Sequence, residues 1–181
     1  NVFDARTLFD VMKNLSYAGI KFPFIIWDRG VSSGINISDA KKLGFQVICG
    51  LANKGNLPEE VDAILKNSKI MSSKNRVQLK ESSFYVFVKN YKCETVKGYL
   101  YICLNPKQQV EQREKRLKEI FEARILLQKN KLIDESLKKY FSEDGNIIDS
   151  KITEETKYDG ISIIFSTKKM ESSELVKKYF D

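Results

Sequence analysis

The chain has 181 residues, is 42% hydrophobic and 30% charged, and carries a formal net charge of +7. That length supports one substantial core or one core with an appended module, and the basic excess points to a polyanionic partner. Histidine is absent, which excludes Ser–His and Cys–His catalysis and His-ligated zinc, and leaves carboxylates with a hard metal, or Lys, Tyr or Cys, for any chemistry.

At the N-terminus, Asp4 is expected to cap a helix with Leu8, Val11, Met12 and Leu15 on one face, ending near Gly19. The stretch F-P-F-I-I-W-D-R-G over 22–30 comes next. Its apolar run predicts a central strand buried on both faces, with Asp28 at the carboxyl end, over the edge where open α/β sheets place their ligands. The same Asp-x-Gly is also ordinary turn chemistry. A short helix from about Ser38 should end at Gly44, and F-Q-V-I-C-G over 45–50 should form the next strand. Helix, strand, helix and strand in so few residues predict α/β packing around a largely parallel sheet.

Leu51–Glu81 reads as a connecting region with one helix at Glu59–Lys66. Phe84–Lys89 and Tyr99–Leu104 are expected as a strand pair joined through the polar residues 90–98. Asn105 and Pro106 then start a long helix, Asn as the cap and Pro in the first turn. Val110, Leu117, Ile120, Phe121, Ile125 and Leu127 form its ragged apolar stripe, and Ile133, Leu137, Tyr140 and Phe141 repeat helical spacing beyond it. A polar connection leads to Tyr158-Asp159-Gly160, where Asp159 is read as part of a turn and not as a metal ligand. Ile161–Ser166 is the last strand, and a helix capped by Ser172 or Ser173 closes the chain.

Cys49 and Cys103 lie in apolar strand-like runs, which suits reduced thiols of an intracellular protein. No apolar run is long enough to span a membrane and no signal peptide is visible. The first residue is Asn and not Met, from which we expect an excised piece of a longer protein.

Three stretches, in this order, resemble the catalytic domain of DDE-class insertion-sequence transposases. They are I-I-W-D-R-G (25–30), Y-I-C-L-N-P-K-Q-Q-V-E-Q-R-E-K-R (101–116) and Y-D-G-I-S-I-I-F-S-T-K-K-M-E-S-S-E-L-V-K-K-Y (158–179). The resemblance implies an incomplete RNase H-like α/β core over 1–50. It places an α+β insertion, a β-hairpin followed by helices, over 51–157, and a return strand with the start of the final helix over 158–181. It makes Asp28 the second of three metal-binding catalytic carboxylates, holding Mg²⁺ or Mn²⁺ in the intact enzyme. Tyr179 falls on the Tyr of the family's Y-x-x-R-x-x-x-E pattern, and the chain stops before the Arg and Glu of that pattern. The first catalytic Asp is expected on an earlier strand, so one carboxylate of three is expected here and the isolated piece should be inert.

The resemblance further implies double-stranded DNA at transposon ends as partner, a homodimer in the assembled complex, and a prokaryotic, cytoplasmic, nucleoid-associated location. Arg29 would steady a phosphate and Tyr179 would touch DNA. On the long helix, Arg113, Lys115, Arg116 and Lys118 would face DNA. Glu111, Glu114, Glu119 and Glu122 are interleaved with them, so the same helix also reads as a solvated face of Glu–Lys pairs. The second functional reading is a non-catalytic nucleic-acid-binding or assembly module that uses the basic helices.

Overall fold

The computed structural model describes residues 2–20, 24–66 and 70–181. Over these residues it is a mixed α/β structure with six α-helices, α1 (Val2–Tyr17), α2 (Gly34–Lys42), α3 (Leu57–Leu65), α4 (Pro106–Gln128), α5 (Asp149–Thr156) and α6 (Ser172–Phe180). Six strands, β1 (Ile25–Trp27), β2 (Val47–Leu51), β3 (Arg76–Leu79), β4 (Ser82–Cys93), β5 (Val96–Leu104) and β6 (Ile161–Ser166), form one sheet in the order β1-β2-β6-β5-β4-β3. The β1–β2 pair is parallel, whereas β2–β6, β5–β4 and β4–β3 are antiparallel. The sheet is therefore mixed, not largely parallel.

The chain divides into two compact units, Asn1–Leu104 with Ser162–Asp181, and Asn105–Ile161. In the first, alternation along the strands sends side chains to two apolar layers. Val47 and Cys49 of β2 and Phe165 of β6 join Met12 of α1, and Ile37 and Ala40 of α2, on one face. Ile48 and Ile164, from the same two strands, join Tyr101 and Cys103 of β5, and Leu175 and Val176 of α6, on the other. Most of β2 and β6 is buried on both faces, which is why they read as unbroken apolar runs.

The first strand departs from expectation. Phe22 and Pro23 lie outside the described residues, and β1 spans only Ile25–Trp27. Among the described residues β1 pairs with β2 alone and forms an edge of the sheet, not its centre. Trp27 is 7% exposed but Ile26 is 44% exposed, so this strand is not buried on both faces. In α1 the inward residues are Met12 with Leu8, Phe9 and Leu15, while Val11 points outward. The helix already runs from Val2, which puts Asp4 inside it and not at its cap.

Caps explain several boundaries. The Ser33 hydroxyl accepts the Asn36 N–H at 3.1 Å, so α2 starts at Gly34, ahead of the expected Ser38. Gly44 follows that helix with φ +86°, a left-handed conformation that suits glycine. The Asn105 side chain accepts the N–H groups of Lys107 and Gln108 at 3.0 and 3.2 Å, and Pro106 opens α4. By contrast, α6 starts after Glu171, with no side-chain cap from Ser172 or Ser173.

The β4–β5 hairpin is longer than the apolar runs predict. Its ladder continues from Asn90↔Tyr99 through Lys92↔Lys97 to Cys93↔Val96, closing on a two-residue turn with Glu94 at φ +51°. In the second unit the residues expected to continue as a helix form a 3-10 helix, Glu135–Tyr140, after which Phe141 bridges to Ile147.

Candidate functional site

Asp28 leaves β1 at its carboxyl end and caps a 3-10 turn, Arg29–Val31. Its Oδ1 accepts the Arg29 N–H at 2.6 Å. Ser32 ties the turn back to the strand. Its hydroxyl accepts the Trp27 indole N–H at 2.9 Å and donates to the Asp28 carbonyl at 3.2 Å. The buried tryptophan thus anchors a turn that leaves Asp28 and Arg29 exposed. This is an acid held in place by its backbone and open to solvent.

Tyr179, in the last turn of α6, donates its hydroxyl to the same Asp28 Oδ1 at 3.3 Å. The two residues are 151 positions apart in the chain. Gly50 of β2 makes the approach possible, since a Cβ at that position would overlap the Tyr179 hydroxyl and sit 3.2 Å from the Arg29 backbone nitrogen. Burial raises the Tyr179 phenol to about 12, the Asp28 charge and hydrogen bond push the same way, and Arg29 partly opposes them. Tyr179 is accordingly a neutral donor near neutral pH, and it marks one side of the carboxylate.

Three of the residues named from the sequence, Asp28, Arg29 and Tyr179, are therefore neighbours within one compact unit. Gly50 and Ser32 complete the site and were not singled out. Gly50 carried a signal, a glycine closing an apolar strand beside the acid-bearing one, but its role depends on a partner far along the chain.

The basic residues of α4 are differently placed. Arg116 forms a two-pronged ion pair with Asp159, Nη1 to Oδ2 at 2.8 Å and Nη2 to Oδ1 at 2.5 Å, and lies 3.7 Å from Glu155. Asp159 is 2% exposed, so the acid read as a turn residue is also the buried anchor of this network. Arg113 lies 4.0 Å from Asp159, Lys115 lies 3.9 Å from Glu119, and Lys118 lies 3.9 Å from Glu122. Lys139 and Tyr140 both bond to Glu155, which holds that carboxyl below its ordinary value despite burial. Lys115–Glu119 and Lys118–Glu122 are thus pairs at helical spacing on a solvated face, whereas Arg113 and Arg116 turn to Asp159 beyond the helix.

Asp28 offers its Oδ2, which has no hydrogen bond among the described residues, to a hard cation. One carboxylate does not make a two-metal centre, and no group of three or more acidic or cysteine side chains that could hold a metal lies among the described residues. The described residues do not by themselves fit the implied Mg²⁺ or Mn²⁺. No helix among the described residues is long and apolar enough to cross a membrane. No family model, curated protein or solved structure matches the chain.

Proposed function

We propose that the chain belongs to the catalytic region of a DDE-class DNA transposase with an RNase H-like core, acting in metal-dependent cleavage and transfer of DNA strands at transposon ends. Asp28 is one of its metal-binding carboxylates, Arg29 steadies a phosphate, and Tyr179 lies beside the reacting strand. The observation that carries this reading is the 3.3 Å contact between Tyr179 and Asp28. The resemblance names these two residues from separate motifs, and they meet at the carboxyl end of a strand.

Two further features support it. The free edge of β1 beside Asp28 leaves a row of backbone groups to which further strands can add. An acid exposed at a strand end, held by a turn and beside an arginine, suits oxygen coordination of a hard cation close to phosphate. In this reading the remaining acids come from outside the described residues, the metal is Mg²⁺ or Mn²⁺, and the working assembly on double-stranded DNA is a homodimer in the prokaryotic cytoplasm. The single carboxylate at the site favours the second reading, a nucleic-acid-binding module without catalysis.

Transposon excision by the whole protein separates the two. Asp28→Asn should abolish excision while leaving binding to transposon-end DNA intact. Wild-type excision by that variant would eliminate the catalytic reading.

A further inference from the structure

The sequence concentrates its cations on α4, yet the structure pairs Arg113, Lys115, Arg116 and Lys118 with acids of the same compact unit. The tip of the β4–β5 hairpin shows the opposite arrangement. Lys92 and Lys97 are direct register partners, so their side chains leave the same face of the sheet, and both are exposed. Like charges facing each other across a strand pair cost stability. Neither lysine has a carboxylate partner among the described residues.

One step along the ladder on the same face are Asn90 and Tyr99, again register partners. Together with Thr167 these four residues line a depression of about 550 Å³. Lys168 and Lys169 follow Thr167, are also exposed, and likewise have no carboxylate partner among the described residues. The hydroxyl of Tyr101 fixes the loop that carries them, donating to the Met170 carbonyl and accepting its N–H, each at 2.9 Å.

We propose that the hairpin tip and the 167–169 loop form a binding surface for the phosphate backbone of a nucleic-acid strand, with Lys92 and Lys97 as its central contacts. A line of phosphates between the two lysines turns their mutual repulsion into two attractions, and the Tyr99 ring and Asn90 amide supply surface suited to a base beside them. An anionic membrane is a poorer match. Binding in a bilayer interface draws on exposed apolar side chains, and none of the exposed large hydrophobic residues lies between 90 and 99. The proposal is independent of the role of Asp28, because it concerns binding and needs no metal.

The test is fluorescence anisotropy of the full 181-residue chain with labelled 20-nucleotide oligonucleotides, one single-stranded and one duplex, in EDTA across a range of salt. Lys92→Gln/Lys97→Gln should weaken binding. It should also flatten the plot of log affinity against log salt by about 1.4 for the single strand or about 1.8 for the duplex, the release expected for two phosphate contacts. Lys151→Gln on α5, whose lysine lies 3.5 Å from Glu154, should leave the slope unchanged. Removing the facing charges should not lower the Tm of the hairpin variant; if it does, Lys168→Gln/Lys169→Gln carries the test, with the same flattening expected. An unchanged slope in the hairpin and loop variants would overturn the proposal. So would binding only to vesicles of phosphatidylserine and phosphatidylcholine, with none to either oligonucleotide.

Discussion

Tyr179 shows how one side chain joins distant parts of the chain to a site. Its hydroxyl reaches Asp28 across a gap in sequence that local patterning cannot bridge, and Gly50 leaves the space for it. Replacing Tyr179 by Phe should cost about 1 kcal/mol near neutral pH, the usual worth of one hydrogen bond. The pH dependence has a definite sign. The folded protein holds the Tyr179 proton more tightly than an unfolded chain, whose phenol titrates near ~10, because burial and Asp28 raise it to about 12. That contribution is complete below about pH 10 and is lost as pH rises toward 12. Urea unfolding at pH 8 and at pH 11 should therefore show the difference between wild type and Tyr179→Phe shrinking with alkalinity; a constant difference would contradict the assignment. Cys49 and Cys103, also raised to about 12 by burial, add an alkaline loss common to both proteins. The pair Arg116–Asp159 makes a second prediction. Arg116→Met takes both hydrogen bonds from Asp159, which is 2% exposed, and leaves it only Arg113 at 4.0 Å, so it should cost about 2 kcal/mol, and Arg116→Met/Asp159→Leu should recover most of it. Faster hydrogen exchange in α4, reversed in the double variant, is the readout. The individual residues were legible in the sequence, but these partnerships, 43 and 151 positions apart, were not.

At the scale of elements, legibility followed the strength of the local signal. The start of α4 was readable because Asn105 and Pro106 are cap chemistry written in adjacent residues, and the structure uses them that way. Asn105→Ala should cost about 1 kcal/mol by leaving two amides without their acceptor, visible as faster exchange of the Lys107 and Gln108 amides. Strand β3, R-V-Q-L, was missed because four alternating residues carry little pattern, and its strand character comes from pairing with β4. Helix α5 was missed for a related reason, since D-S-K-I-T-E-E-T has one large apolar residue and buries none of its side chains. The hairpin was underestimated because Asn90, Lys92 and Lys97 look like loop residues. They are polar because they sit on the part of the ladder where the sheet face meets solvent. That error concealed the charge cluster on which the proposed nucleic-acid surface rests.

For the whole molecule, composition located a basic protein but not its basic surface. Counting lysines and arginines along the chain favours α4, whereas the structure places Arg113, Lys115, Arg116 and Lys118 of that helix beside acids and leaves Lys92 and Lys97 of the hairpin with no carboxylate partner among the described residues. The α/β class was legible from alternating apolar runs and helical stripes. The mixed strand order was not, because antiparallel pairing of β6 against β2 joins residues more than a hundred positions apart. The central claim is that Asp28 ligates a metal in phosphodiester cleavage, and metal-specificity rescue tests it most directly. Asp28→Cys replaces a hard oxygen ligand by a soft sulfur, which accepts Mn²⁺ more readily than Mg²⁺. In a strand-cleavage assay on transposon-end DNA with the whole transposase, the account predicts that this variant is inactive in Mg²⁺ and regains cleavage in Mn²⁺. Undiminished cleavage in Mg²⁺ would contradict it.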